Sequence, residues 1–226
     1  HNDYAVTTVD GELKVLPATG ELEFADIAEL VYSGSVQTIA KDQVKVSIKN
    51  VGIVDEDNFE FTVNEGGKNV GQYSATVVIL TGNYAGTTGT FNWNVVQKEV
   101  KVTVADATAV YGTDAGMTFD IAKYEGFVDG EDESVITKQA TITAPNADGK
   151  TFRTVGTYAI TAEGIEAQNY YFTYTAGTLT ITKASITVTA KDHSVEYGHD
   201  EANSNNGIEV VEGLVNGDTI ESLGEI

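Results

Sequence analysis

The chain has no cysteine, two prolines, one methionine, one tryptophan and only 13 basic residues against 34 acidic ones in a length of 226. Without cysteine there is no disulfide framework, no thiol nucleophile and no thiolate metal site. No apolar run approaches the roughly 18–20 residues needed to cross a bilayer as a helix. The net charge of −21 is spread along the chain, as −7 over residues 1–98, −6 over 99–183 and −8 over 184–226. A surface this evenly acidic repels phosphate backbones and anionic lipid, so nucleic acid and membrane insertion are excluded as expected partners of this segment. No secretory signal opens the chain, but its first residues read as the interior of a repeat, so the expectation is a piece of a longer protein.

What is present is a repeat. Val70-Gly71-Gln72-Tyr73, Asn83-Tyr84, Tyr111-Gly112 and Gly126-Phe127-Val128-Asp129-Gly130 return as Val155-Gly156-Thr157-Tyr158, Asn169-Tyr170, Tyr197-Gly198 and Gly213-Leu214-Val215-Asn216-Gly217. The offsets run from 85 to 87, giving a unit of about 86 residues. Tandem copies of one small unit build length or multivalency, whereas chemistry needs a single site. Four segments follow. Residues 1–16 read as the closing strands of a preceding repeat, because Tyr4, Gly11, Leu13 and Val15 match Tyr170, Gly177, Leu179 and Ile181. Residues 17–98 and 99–183 are complete units, and 184–226 is the first half of another.

The apolar period is two. Val44, Val46 and Ile48, then Val100, Val102 and Val104, then Ile186 and Val188 alternate with Lys, Ser or Thr, as in strands with one buried face. Asn64-Glu65-Gly66-Gly67, Asp129-Gly130, Asn146-Ala147-Asp148-Gly149 and Asn216-Gly217-Asp218 supply turns. The fold class is therefore all-β, as tandem immunoglobulin-like sandwiches arranged end to end. The strongest helical stretches, Phe24 to Leu30 and Asp218 to Leu223, are too short for more than a turn. Leu179 to Val188 contains neither proline nor glycine, which predicts a strand running straight from one unit into the next and a stiff rod.

At these residues the chain resembles the bacterial immunoglobulin-like repeats known as MBG domains. The features are Gly177-x-Leu179-x-Ile181-x-Lys183-Ala184, Ile186-Thr187-Val188-Thr189-Ala190, Tyr197-Gly198 and Gly213-Leu214-Val215-Asn216-Gly217-Asp218. Residues 98–198 follow the pattern throughout. Residues 17–98 look like a variant bacterial repeat, through Tyr32-Ser33-Gly34, Asp57-Asn58-Phe59 and Thr81-Gly82-Asn83-Tyr84, without the Gly-Phe-Val-Asp-Gly segment. The resemblance implies an extracellular, cell-surface, adhesin-like protein in which such repeats are non-catalytic spacers, and the cysteine-free composition suits an exported bacterial chain. The alternative is a module that itself binds a glycan or a host or environmental protein.

Candidate sites are few. Asp55-Glu56-Asp57 and Glu131-Asp132-Glu133 offer the hard oxygens that calcium needs, but neither has the ordered spacing of a calcium loop and both also read as solvated turns. Trp93 and Tyr171 are the candidates for a sugar-stacking aromatic. Alternation puts Phe91, Trp93 and Val95 on one face, expected to be the core face, whereas Tyr170-Tyr171-Phe172 must send adjacent rings to opposite faces. His1, His193 and His199 match no zinc spacing. Lys98 and Lys183, the lysines an isopeptide crosslink would require, sit at unit boundaries. No nucleophile elbow, phosphate loop, zincin motif or dinucleotide fingerprint occurs, and no carboxylate pair is singled out for glycoside hydrolysis. The expected partners are therefore neighbouring repeats of the same polypeptide. The half-repeat adds head-to-tail strand complementation between chains, because half a sandwich leaves strand edges unpaired.

Overall fold

The computed structural model describes residues 3–25, 27, 29–112, 117–144, 154–192, 194, 196–198 and 207–220. The turn expected at 146–149 and the histidines His1, His193 and His199 lie outside them. The described residues contain strands and short 3-10 turns, and the chain divides into two compact units, 1–98 and 99–226.

In the first unit the strands are β1 (Leu22–Ala25), β2 (Glu29–Val31), β3 (Lys45–Ile48), β4 (Gly52–Ile53), β5 (Phe59–Val63), β6 (Gly71–Ile79) and β7 (Thr88–Val96). They form two sheets, β1-β3-β4 and β2-β7-β6-β5, in which β2 runs parallel to β7. The alternation read from the sequence becomes the core: Val44, Val46 and Ile48 are buried from one sheet, and Phe91, Trp93 and Val95 from the other. Phe24 on β1 meets Phe91 on β7 at a ring separation of 4.8 Å, which joins the sheets face to face. Phe24 to Leu30, expected as a helical turn, instead supplies residues of β1 and β2, because each short piece finds a partner strand far along the chain.

The second unit repeats this plan with β8 (Lys98–Val104), β9 (Ala107–Val110), β10 (Ile121–Glu125), β11 (Thr141–Thr143), β12 (Gly156–Glu163), β13 (Tyr170–Thr175) and β14 (Gly177–Thr182). The sheet β11-β12-β14-β9 has the order and directions of β5-β6-β7-β2, including the parallel closing pair. The other sheet, β10-β8-β13, gains β13 where the first unit has only a 3-10 turn at Gly82–Tyr84. Val104, Ile160, Leu179 and Ile181 are buried together between the sheets. Two further strands, β15 (Thr187–Ala190) and β16 (Ile208–Glu212), pair with each other in a two-stranded sheet.

The repeated Val-Gly-x-Tyr motif has a physical role in both units. Tyr73 donates its hydroxyl to the Asn69 carbonyl at 2.8 Å, and Tyr158 donates to the Thr154 carbonyl at 3.3 Å, each reaching four residues back. This is a tyrosine corner that fixes the entry of the long strand. The space beneath the ring must stay empty of side chain: a Cβ on Gly67 would come within 2.5 Å of the Tyr73 ring. Tyr73→Phe, which removes one exposed hydrogen bond and keeps the ring, should cost about 1 kcal/mol of unfolding free energy in denaturant titration.

Residues 3–16 form no strand within this chain, and Tyr4, Val6, Val9, Leu13 and Val15 are exposed. One sequence expectation fails. The run from Leu179 to Val188 is not one strand: residues 183–186 separate β14 from β15. Of Asp218 to Leu223, only residues 218–220 are described; the turn lies just before them, at Asn216 and Gly217.

Candidate functional site: the parallel end-strand clamp

Each unit closes on a parallel pair made from an early strand and its last strand. In the first, Glu29, Leu30 and Val31 lie opposite Asn94, Val95 and Val96, and the Tyr32 N–H donates to the Val96 carbonyl at 2.9 Å. In the second, Ala107 to Val110 lie opposite Leu179 to Thr182, and the Tyr111 N–H donates to the Thr182 carbonyl at 2.8 Å. The Thr182 hydroxyl adds a bond to the Ala109 carbonyl at 3.2 Å. Tyr32 and Tyr111 thus end the two ladders alike, and each is followed by a glycine with positive φ, Gly34 at 78° and Gly112 at 78°, which turns the chain away. The sequence signalled the Tyr-Gly pair but not its use, because the partner carbonyl is about 70 residues away.

A parallel pair of this kind has a mechanical consequence. A pull on the two ends of such a unit would enter before the early strand and leave after the last one, at opposite ends of the ladder. The hydrogen bonds are then loaded together in shear, and none can be peeled in isolation.

The Gly126 to Glu131 loop carries the second repeated feature. Tyr170 is buried, donates its hydroxyl to Glu131 Oε2 at 2.6 Å and accepts from the Val128 N–H at 3.2 Å, with Phe127 edge-on to its ring at 5.0 Å. The equivalent carboxylate of the next repeat, Asp218, accepts the Tyr111 hydroxyl at 3.0 Å through Oδ2. This contact ties the Gly213 to Asp218 loop to the end of β9. Beside it lies a cavity of about 200 Å³ lined by Tyr111, Val155, Ile186, Leu214 and Val215, with Lys183 and Asp218 as the ions at its wall. Among the described residues Asp218 is the one carboxylate on that wall.

The structure separates the sequence candidates. Glu131 is used by Tyr170. Asp132 caps the 3-10 turn Glu133–Val135, accepting from the Ser134 N–H at 2.9 Å. Hydrogen bonds from the Ser134 side chain and then from its backbone hold the Asp132 carboxyl below the usual range. A depressed carboxyl contributes stability that is present above its unfolded value of about 3.9 and is lost as pH falls through the lower folded value. In a carboxyl-detected NMR titration Asp132 should therefore protonate below the usual aspartate range, and Ser134→Ala, which removes the side-chain hydrogen bond, should bring it back toward the ordinary value. Asp55, Glu56 and Asp57 stand exposed around the 3-10 turn Glu56–Asn58. Among the described residues no three acidic or histidine side chains converge on one metal position.

Trp93 is fully buried against Tyr73, with ring centroids 5.0 Å apart, and offers no face to a sugar. Its place on the core side of the central strand β7 corrects it as a ligand candidate. Tyr171 is 46% exposed and Tyr174 36%, but strand alternation sends them to opposite faces, so they make no flat platform. Lys183 is exposed, which removes the burial an isopeptide bond requires.

Residues 100–180 match the family model of the MBG domain, YGX type. The Tyr-Gly element of this stretch, Tyr111-Gly112, is the end of the clamp described above. No curated protein matches the chain.

Proposed function

We propose that this chain is a non-catalytic spacer from a bacterial cell-surface, adhesin-like protein, in which each repeat transmits tension. One observation carries the reading: two units of different sequence close on the same parallel pair, each finished by a tyrosine N–H at the carbonyl of the last strand. Selection for a binding pocket would not require that pair twice. Selection for resistance to pulling would. An MBG-type domain is typical of extracellular surface proteins, which supports the location. The even negative charge keeps such a segment soluble and free of adventitious anionic partners.

The competing reading is a module that binds a glycan or a host protein through Tyr171. A screen of the labelled chain against a glycan array and immobilised extracellular-matrix proteins separates the two. A spacer gives no saturable signal. Saturable binding that disappears in Tyr171→Ala, with the melting curve unchanged, would replace the spacer with a binding module.

A further inference from the structure

The parallel direction of the closing pair has a second consequence, at the end where the chain leaves it. Because β9 and β14 run the same way, Tyr111 and Thr182 finish side by side, joined by the Tyr111 N–H on the Thr182 carbonyl. From Thr182 the chain passes through residues 183–186, which contain neither glycine nor proline, into β15 of the following repeat. An antiparallel pair would have left Tyr111 at the far end.

The following repeat is therefore held at two neighbouring points, one by the covalent chain after Thr182 and one by contact at Tyr111-Gly112. Gly112 lies so near Val215 that a Cβ on it would come within 2.2 Å of Val215 Cγ2 and 2.4 Å of its Cβ. Valine is branched at Cβ and has no flexible tip to swing aside. Three residues further along the same loop, Asp218 Oδ2 accepts the Tyr111 hydroxyl at 3.0 Å. Tyr111, Gly112, Val215 and Asp218 are all half-buried.

These contacts account for side chains that the ladder leaves unexplained. The ladder uses only the backbone of Tyr111, which any residue but proline could supply. The φ of 78° at Gly112 would tolerate asparagine as well as glycine, but the space against Val215 admits no Cβ at all. Both parts recur in the sequence: Tyr-Gly returns at 197–198, and Val215 and Asp218 stand where Val128 and Glu131 stand in the repeat before.

We propose that Tyr111-Gly112 is a socket for the Gly213 to Asp218 loop of the following repeat, and that the pair fixes the angle between successive repeats. A junction held by one chain segment can swing, as neighbouring domains do by default. A second contact beside the first removes that swing. The socket names the partner of the clamp's end, and it stands whether the repeats are spacers or binding modules.

The test uses the full chain, whose lack of cysteine leaves two introduced thiols as the only sites for spin labels. Labels at the exposed positions Glu163→Cys and Glu212→Cys report on the two repeats, and pulsed electron resonance gives their distance distribution. It should be a single narrow peak. Val215→Ala with Asp218→Ala empties the socket without altering residues 99–183, and Gly112→Ala blocks it; each should widen the distribution at least about twofold. Gly164→Ala is the control for backbone strain, since Gly164 also has positive φ, 79°, but a Cβ there meets nothing within 4 Å, and its distribution should stay narrow. A broad distribution in the parent, an unchanged one in the loop variant, or equal broadening by Gly164→Ala would overturn the socket. None of these results touches the spacer reading, which fails instead on saturable glycan or protein binding.

Discussion

Trp93→Ala should destabilise the first unit by about 3–5 kcal/mol and leave the second unit untouched. Trp93 is the largest fully buried side chain in the protein, on the central strand β7, between Phe91 and Val95 on the core face and stacked at 5.0 Å on the corner residue Tyr73. Truncation removes the ring and also the surface that holds Tyr73 in position, so the corner hydrogen bond to Asn69 loosens with it. Hydrogen exchange by mass spectrometry gives the result unit by unit. Protection across β6 and β7 should fall by about two to four decades while β12 and β14 keep theirs. Trp93→Phe should cost less than its loss of volume suggests, because the buried indole N–H has no partner among the described residues, and phenylalanine removes that unmet donor. Equal losses in both units would show that the core of residues 1–98 is not independent.

Gly126→Ala is the second large effect, expected at about 3 kcal/mol or more in the second unit. Two costs combine there. Gly126 has φ of 122°, outside the range of L side chains, and an added methyl would be driven to 2.4 Å from the Glu99 carbonyl oxygen, a backbone atom that cannot rotate away. Gly130, four residues on, provides the control. Its φ of 85° is also positive, but a Cβ there meets nothing within 4 Å, so Gly130→Ala should cost only the conformational part, about 1 kcal/mol. Denaturant midpoints of the two variants, compared at equal slope, measure the steric share directly. If the two midpoints coincide, the loop has room to shift and the repeated Gly-Phe-Val-Asp-Gly segment owes its glycine to something else.

What the sequence revealed depended on whether the signal was local. The alternation of Val100, Val102 and Val104 is read within seven residues, and all three are buried. Phe91, Trp93 and Val95 follow the same logic. Ile186 and Val188 show the same alternation, yet both remain part-exposed, because burial also requires an opposing sheet and among the described residues none belongs to β15 and β16. The clamp was invisible beforehand, since Glu29 to Val31 is too short to show a period and its partner lies some 65 residues away. Among the candidate residues, the acids at 131–133 were visible as a cluster. Their separate duties, one to Tyr170 and one to Ser134, were set by contacts up to 39 residues away.

Pulling a single chain by its two ends tests the load-bearing account most directly. Two discrete unfolding events are predicted, each releasing about 25–30 nm of chain. Ala109→Pro should lower the force of one of them, since Ala109 faces β14 as Tyr111 does, two residues along the same ladder, and proline cannot donate to it. Smooth extension at low force, or an Ala109→Pro trace indistinguishable from the wild type, would contradict the claim that the parallel end-strand pair carries the load.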